Sequence, residues 1–206
     1  GDLVEATSDT GAYVQLSGVL KRTSTKLTKI CNDIRLLSSG PRCGLNEINL
    51  PQMQPGSSIM PGKVNPVIPE VVNQTSFLVI GLDLTVTLAA SAGQLQLNVM
   101  EPVITYALFK SISTMENAVN SLRVNCVQGI TANVERSHDL VLNSLGIITV
   151  LKPLLGYKQC AEIARECHQT GKSLHAVVVE ERQLLTQERW EEVFSFENLI
   201  NPKFEN

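Results

Sequence analysis

Apolar and small residues early in the chain recur at alternating steps of four and three. They are Leu16, Leu20, Thr23, Leu27, Ile30, Ile34 and Leu37. Polar residues such as Lys21, Lys26 and Asp33 occupy positions between them. A spacing of this kind predicts a long helix whose apolar stripe forms a heptad seam. The dipeptide Gly40-Pro41 is expected to stop that helix.

Two further long helices are predicted from apolar content. One begins near Pro66 to Pro69 and runs to about Ala92 with apolar residues on every side, and the next runs from about Pro102 to Val127. A helix that is apolar all round must be surrounded, and one chain offers few partners, so we expect association between subunits. Residues 75–93 resemble a short membrane span, but Asp83 in their middle favours a buried core helix.

After Gly129 the predicted helical segments become shorter. Brief helices are predicted over Val134–Leu145, Gly156–Gln169, Ser173–Glu180 and Gln187–Phe194. Thr170-Gly171 is a helix end and Thr186 an N-cap. We therefore expect an all-α fold in two parts. Residues 1–129 belong to a long-helix bundle that carries the loop 55–66, and residues 130–206 form a small helical C-terminal domain.

Composition excludes several classes of function. The hydrophobic content is 43% with only 4% aromatic residues, which suits interdigitating helices. A net charge of -3 provides no basic stripe, so nucleic acid and anionic membrane are poor partners. Five cysteines without a C-x-x-C pair indicate neither a disulfide framework nor a zinc site, and they favour a cytoplasmic protein. The three histidines, His138, His168 and His175, are interpreted as ordinary helical residues.

The segment Gly56 to Pro66, GSSIMPGKVNP, has the composition of a loop with unusual chemistry. Lys63 is a charged donor, Asn65 is an amide donor, and Ser57 and Ser58 supply hydroxyl groups. These groups together indicate a clamp for a carboxylate or oxyanion beside a potential proton acceptor. The alternative is a plain surface connection, which is the commoner meaning of such a composition.

GSSIMPGKVNP resembles the signature loop of the aspartase/fumarase superfamily, lyases that abstract a proton next to a carboxylate. The flanking NPVIPEVVNQ (residues 65–74) and GQLQLNVMEPVI (residues 93–104) resemble the ammonia-lyase branch. LLSSGPRCGLNEINLP (residues 36–51) and NSLGIITVLKPLLGY (residues 143–157) are similar to it as well. Two other signatures, a Thr-His pair and a Ser-Thr-Asn segment, do not occur in this sequence. Since residues 2–6 also read as helix interior without a cap, we expect the C-terminal part of a longer protein.

The resemblance implies roles for individual residues. Ser57 corresponds to the catalytic base, with Ser58 as its competitor and as a substrate-binding hydroxyl. Lys63 and Asn65 correspond to ligands of the substrate carboxylate. Glu70 corresponds to a catalytic carboxylate that pairs with an active-site histidine from another subunit, although a first-turn glutamate also complements the helix dipole. No organic cofactor and no metal are implied.

By the same resemblance the whole protein is expected to convert L-aspartate to fumarate and ammonium as a homotetramer, with neither membrane nor nucleic acid as a partner. A class II fumarase, which hydrates fumarate to malate, is the nearest alternative enzyme. A non-catalytic helical assembly module is the alternative of another class, because two of the three signature regions are absent here.

Overall fold

We describe a computed structural model of the chain, which covers residues 1–56, 59–60, 62 and 64–201. The chain divides into two compact units, Gly1–Asn133 and Val134–Asn206. The first unit contains, in order, α1 (Leu3–Ser8), α2 (Gly11–Leu37), β1 (Ile48–Asn49), α3 (Val67–Ser91), α4 (Glu101–Asn125), a 3₁₀ turn (Val127–Gly129) and β2 (Thr131–Ala132). The expected all-α class is confirmed, since both strands are two residues long.

The core of the first unit lies between α2, α3 and α4. On α2 the buried residues are Ser17, Ser24 and Cys31, which recur every seven residues. Their small side chains allow close approach of the neighbouring helices, because the distance between helix axes depends on the side chains at the contact. Cys31 packs with Val72 of α3 and Leu122 of α4 in one apolar cluster.

The predicted seam of α2 needs correction. Leu20, Leu27 and Ile34 are half-buried as expected, but Leu16 and Ile30 are 42% and 49% exposed. The buried line runs instead through the small polar residues one position further along, as Ser17 and Ser24 show. The prediction from hydrophobicity placed the larger side chains in the contact between helices. Within this chain, small residues of α2 lie there instead, because they allow α2, α3 and α4 to approach closely.

Helix α3 spans nearly the predicted range and buries one of its faces. Val72, Val79 and Val86 are at most 1% exposed, and their spacing of seven keeps them on the side facing α2 and α4. The opposite side leaves Phe77 58% and Leu88 61% exposed. The chain by itself therefore covers only part of this apolar helix, as the sequence predicted.

Among the described residues, α3 is the single unbroken helix long and apolar enough to cross a membrane. The core helix of a soluble protein passes the same test. Asp83 lies in the middle of α3 and is 7% exposed. It accepts hydrogen bonds from the Ser17 hydroxyl at 2.7 Å and the Lys21 ammonium at 2.9 Å. The carboxylate is thus paired with α2, which agrees with the interpretation of α3 as a core helix.

The turn between α3 and α4 is built around Asn98, which is 1% exposed. Its amide nitrogen donates to the carbonyls of Ala89 and Ala90, and its amide oxygen accepts from the Met100 backbone N–H at 2.9 Å. One side chain therefore satisfies backbone groups at the end of α3 and at the start of α4. Gly93 is required beside it, because a Cβ there would lie 2.9 Å from the Asn98 side chain.

The N-terminal helix corrects another expectation. The sequence predicts helix interior without a cap at residues 2–6, whereas Asp2 is the N-cap of α1. Its carboxylate accepts from the backbone N–H groups of Val4 at 2.9 Å and Glu5 at 3.3 Å. Asp is a preferred N-cap residue, and sequence alone did not distinguish this position from helix interior.

The second unit contains α5 (Val134–Leu142), a 3₁₀ segment (Leu145–Leu151), α6 (Lys152–Thr170), a π-helical segment (Ala176–Glu181), α7 (Gln187–Val193) and α8 (Phe196–Ile200). Three details differ from the prediction. The first short helix ends at Leu142, α6 begins before Gly156 with that glycine non-helical at φ 75°, and α8 was not predicted. The predicted helix end at Gly171, with φ 72°, and the Thr186 N-cap are confirmed.

The second unit has its own core. Its buried residues are Leu151, Cys160, Ile163, Cys167, Leu174, Val177, Val178, Trp190 and Val193. Trp190 also contacts the rings of His175 and Phe194.

The cysteines of the two units are mostly packed in the cores. Four of the five are buried, and Cys43 is exposed. Burial raises the pKa of the Cys31 thiol to about 11, with Cys126 nearby adding to the shift, so this thiol stays protonated and packs as an apolar group.

Candidate active site

The signature loop connects the segment after β1 to the first turn of α3. Three of the residues assigned to it from sequence, Ser57, Ser58 and Lys63, lie outside the described residues. Of the other assigned residues, Asn65 immediately precedes α3 and Glu70 is in the first turn of that helix. The site therefore has to be built from the base of the loop outward.

Asn65 closes the base of the loop. Its amide nitrogen donates a hydrogen bond to the backbone carbonyl of Gly56, nine positions earlier, and so joins the two ends of the segment. The backbone carbonyl of Asn65 accepts from the Val67 N–H at 2.9 Å, which ties the same residue to the start of α3. An amide has two N–H groups and an oxygen, so this contact leaves Asn65 further capacity to bind a ligand.

Glu70 lies one turn into α3, where a negative charge complements the partial positive charge of the helix N-terminus. Its Oε1 lies 4.0 Å from Nη2 of Arg35, in the last turn of α2. Both side chains are partly open to solvent, 39% exposed for Glu70 and 42% for Arg35. The pair therefore connects the end of α2 to the beginning of α3 beside the loop.

Two asparagines extend this connection. Oδ1 of Asn32 accepts from the amide of Asn73 at 2.8 Å and from Nη1 of Arg35 at 3.4 Å. Asn32 and Arg35 are three residues apart on α2, and Glu70 and Asn73 are three residues apart on α3. Residues at that spacing lie on the same face of a helix, so two polar pairs face each other. Asn73 is 5% exposed, which makes the contact with Asn32 a buried one at its α3 end.

A cavity of about 460 Å³ lies beside the loop. It is lined by Ser38, Gly40, Pro41, Asn46, Ile48, Asn49, Leu50, Met60, Gly62, Val64 and Pro66. Within the described part of the chain its wall contains amides, a hydroxyl and apolar groups but no charged side chain. Such a wall can orient a polar ligand, but a dianionic ligand would need cations from elsewhere.

The wall formed by residues 38–49 is held in place by backbone and amide contacts. The Asn46 N–H donates to the Ser39 carbonyl at 2.7 Å, and Asn46 has a φ of 52°, which asparagine tolerates. Gly44 passes so close to Ser39 that an added Cβ would lie 2.3 Å from its backbone. The segment is therefore a defined turn.

Asn133 fastens this wall from the end of the first unit. Its amide donates to the backbone carbonyl of Asn46 at 2.9 Å, and its Oδ1 accepts from the Asn49 amide at 2.7 Å. Beside these contacts β1 pairs antiparallel with β2, with Ile48 opposite Ala132. This pairing joins residues 131 and 132 to β1 within the first unit.

Sequence reasoning did not identify Arg35, Asn32, Asn73 or Asn133 as part of this region. The matching three-residue spacings on α2 and α3 were visible in the sequence, but nothing there indicated that those faces meet. No group of three or more His, Cys, Asp or Glu side chains in the described ranges is arranged to hold a metal ion.

The lyase chemistry suggested by the loop is supported by comparison with known proteins. The family profile described as "Lyase" matches residues 1–81, and the profile described as "Fumarase C C-terminus" matches residues 147–201. Aspartate ammonia-lyase of Helicobacter pylori is 59% identical over 201 residues, covering 98% of this chain and 43% of the relative. Aspartate ammonia-lyase of Escherichia coli K12 is 58% identical over 203 residues, covering 98% of this chain and 42% of the relative.

Solved structures give the same result for the fold. A fumarate lyase:delta crystallin from Brucella melitensis, bound to cobalt, has a TM-score of 0.88 and 51% identity, with 94% of this chain and 42% of that chain covered. A class II fumarase from Schistosoma mansoni has a TM-score of 0.87 and 36% identity, with 97% and 41% covered. The chain thus spans less than half the length of the relatives that it matches. On this likeness in sequence and in fold, the chain belongs to the aspartase/fumarase superfamily of lyases.

Proposed function

We propose that the full-length protein is an ammonia-lyase that converts L-aspartate reversibly to fumarate and ammonium. The observation that carries this proposal is the identity of 58–59% with aspartate ammonia-lyases over 98% of the chain, signature loop included. The class II fumarase is 36% identical over a similar share, which favours the ammonia-lyase over the hydratase.

The reaction breaks the Cβ–H and Cα–N bonds of aspartate and forms the C=C bond of fumarate. Removing the Cβ proton transfers negative charge to the neighbouring carboxylate, so stabilising that aci-carboxylate is the main task of the site. Ser57 is proposed to accept the proton, while the Lys63 ammonium neutralises the developing charge. Asn65 and Ser58 are proposed to orient the carboxylate by hydrogen bonds. Collapse of the aci-carboxylate then forms the C=C bond and breaks the Cα–N bond, so that the protonated amino group leaves as ammonia. The ammonia takes up a proton to become ammonium, and Ser57 returns its proton to the solvent.

A serine hydroxyl is a very weak base in water, so the surroundings of Ser57 must favour its ionised form. Backbone N–H groups and exclusion of water are the means available to a glycine-rich loop. The contact between Asn65 and Gly56 supports this role of the loop, because it holds the two ends of the segment together. No organic cofactor is needed for these steps.

Glu70 is proposed to act as a catalytic carboxylate that pairs with a histidine from another part of the assembly. Its position supports this role, since it is five residues from Asn65, partly exposed, and at the N-terminus of α3 beside the loop. A carboxylate placed there can accept a hydrogen bond from an imidazole and keep it in one tautomer.

We propose that the full-length protein acts as a homotetramer in the cytoplasm. Apolar side chains remain exposed on one side of the two central helices, such as Phe77 and Leu84 on α3, both at 58%, and Tyr106 and Phe109 on α4, at 63% and 70%. Exposed apolar surface of this kind is typical of a subunit interface. Residues 1–129 are proposed to contribute to the central bundle and residues 130–206 to form the small domain.

An assay of the full-length protein tests the function. Fumarate formation is followed by absorbance with L-aspartate and, separately, with L-malate as the substrate. An ammonia-lyase forms fumarate from aspartate together with an equal amount of ammonium. Fumarate from malate alone would identify a hydratase. If neither substrate reacts while the protein is folded and assembled, the protein is a non-catalytic helical assembly module.

A further inference from the structure

Beyond the residues already assigned, we infer that Arg35 is a positioning residue, which holds the Glu70 carboxylate in the direction required for the reaction. This inference rests on the proposed function of Glu70. Its basis is the juxtaposition of the last turn of α2 with the first turn of α3, where the guanidinium and the carboxylate lie 4.0 Å apart beside the loop.

Arg35 is itself held in place. Its Nη1 donates to Oδ1 of Asn32, one turn earlier on α2, at 3.4 Å. The same oxygen accepts from the buried amide of Asn73, which stands one turn after Glu70 on α3. The contacts through Asn32 and Asn73 therefore connect the guanidinium to both helices and hold it beside Glu70. An arginine suits this position, because its planar fork can donate to the amide and the carboxylate at once.

The separation of 4.0 Å makes the contact weak while both side chains are open to water. Exposed ion pairs contribute little to stability, since solvent and salt screen them. When the rest of the assembly excludes water from the loop, the same charges interact in a lower dielectric and the attraction grows. The effect is therefore expected in catalysis more than in folding.

The alternative role for Arg35 is to complement the dipole at the C-terminus of α2. Arg123 provides a matched control for that role. It lies in the last turn of α4, and its Nη2 donates to Asn120, three residues earlier, at 3.1 Å. No acidic partner within 4.0 Å of Arg123 is found in the described part of the chain. Arg123 thus repeats the helix-end arrangement without the carboxylate.

The test measures kcat and KM of the full-length protein and of Arg35→Met, Arg35→Lys, Glu70→Gln, the double variant Arg35→Met with Glu70→Gln, and Arg123→Met. Arg35→Met is expected to lower kcat by about tenfold, with KM changed by less than about threefold, because it removes orientation rather than binding. Arg35→Lys, which keeps the charge but not the planar fork, is expected to recover only part of that loss. The double variant should be no slower than Glu70→Gln, since the two residues act as one unit.

Three results would overturn the inference. They are an unchanged kcat in Arg35→Met, losses that multiply in the double variant, or an equal loss in Arg123→Met. Loss of folding is excluded by comparing thermal midpoints of all the variants. The carboxylate is also observed directly through the isotope-edited infrared band that disappears in Glu70→Gln. This band should shift in Arg35→Met and stay in place in Arg123→Met.

The infrared measurement separates the two proposals. If the full-length protein releases no ammonia from aspartate, the proposed function fails. The contact between Arg35 and Glu70 is still detected by the shift of the band. An unshifted band in Arg35→Met removes the positioning role even when the ammonia-lyase activity is confirmed.

Discussion

The carboxylate of Asp83, in the middle of α3, accepts a hydrogen bond of 2.7 Å from the hydroxyl of Ser17 on α2. The ammonium of Lys21, one turn along α2, reaches the other carboxylate oxygen at 2.9 Å. A buried charge is costly unless it is paired and hydrogen-bonded, so only the alignment of α2 with α3 that brings these groups together is favourable. The contact therefore specifies the register of the two helices.

Asp83→Asn is expected to destabilise the folded protein by about 1–3 kcal/mol, because a charge-assisted hydrogen bond to Lys21 is lost inside the bundle. Urea unfolding of the full-length protein measures the effect. Asp33→Asn is the matched control, since Asp33 forms an ion pair with Lys29 at the surface of α2 and its loss should cost less than about 0.5 kcal/mol. Equal losses in the two variants would contradict the role assigned to Asp83.

The same contact predicts a dependence on pH. Burial raises the pKa of Asp83, but hydrogen bonds from Lys21 and Ser17 and the Lys21 charge outweigh it and hold the pKa below its ordinary value. A group with a lowered folded-state pKa contributes stability above its unfolded-state pKa, about 4 for Asp, and loses it as the pH falls through the folded-state value. Asp83→Asn should therefore flatten the acid limb of the stability profile, which is measured by urea unfolding at a series of pH values.

Asn98→Ala is expected to destabilise the bundle by about 1–3 kcal/mol, because it leaves the Ala90 carbonyl and the Met100 N–H without Asn98, and the Ala89 carbonyl with only the Ala92 N–H. Thermal unfolding of the full-length protein measures the loss. Gln96→Ala, in the same turn but at an exposed position, should have little effect. A stable Asn98→Ala protein would mean that water replaces all three contacts.

Ser57→Ala is expected to lower kcat for aspartate by about a hundredfold or more while the assembly remains intact, because a positioned base is removed. Ser58→Ala is the comparison, with a smaller loss that includes a higher KM. Activity within severalfold of the unsubstituted enzyme in Ser57→Ala would transfer the base role to Ser58 or to another group. Sedimentation checks the assembly in both variants.

Lys63→Met is expected to reduce ammonia release severely and to change stability little, because the loop composition predicts an exposed position where charge matters more than packing. Activity per folded molecule and the thermal midpoint are measured together. A much lower midpoint with normal activity per folded molecule would show that Lys63 is structural.

The 206-residue chain alone is expected to be helical, associated or prone to aggregate, and inactive on aspartate. Phe109 and Leu88 are 70% and 61% exposed on α4 and α3, and apolar surface of this extent requires a partner. Analytical ultracentrifugation should find species larger than 22.5 kDa. A monodisperse and well-folded monomer would contradict the association, and measurable fumarate production would contradict a site shared with other parts of the protein.

Much of the first unit was predictable because its signals are local. Apolar periodicity predicted α2, and apolar content predicted α3 and α4, with proline at two helix starts and Gly40-Pro41 after α2. The short elements of the second unit were predicted less well. Helix α8 was missed, and the interruption at Gly156 was not foreseen, because brief helices form as much by packing on a core as by local preference.

For the site, the chemistry proposed for the loop rests on the sequence by itself, because the roles of Ser57, Lys63 and Asn65 are assigned by resemblance to the signature loop of the superfamily. Only the tertiary structure brought Arg35 to Glu70 and Asn133 to the wall beside the loop. It also decided that Ser17 rather than Leu16 faces the core. The sequence alone specifies which side chain occupies each position of a helix. Which of them meet across 35 to 87 residues depends on how closely the helices approach, and that is settled by packing all three together.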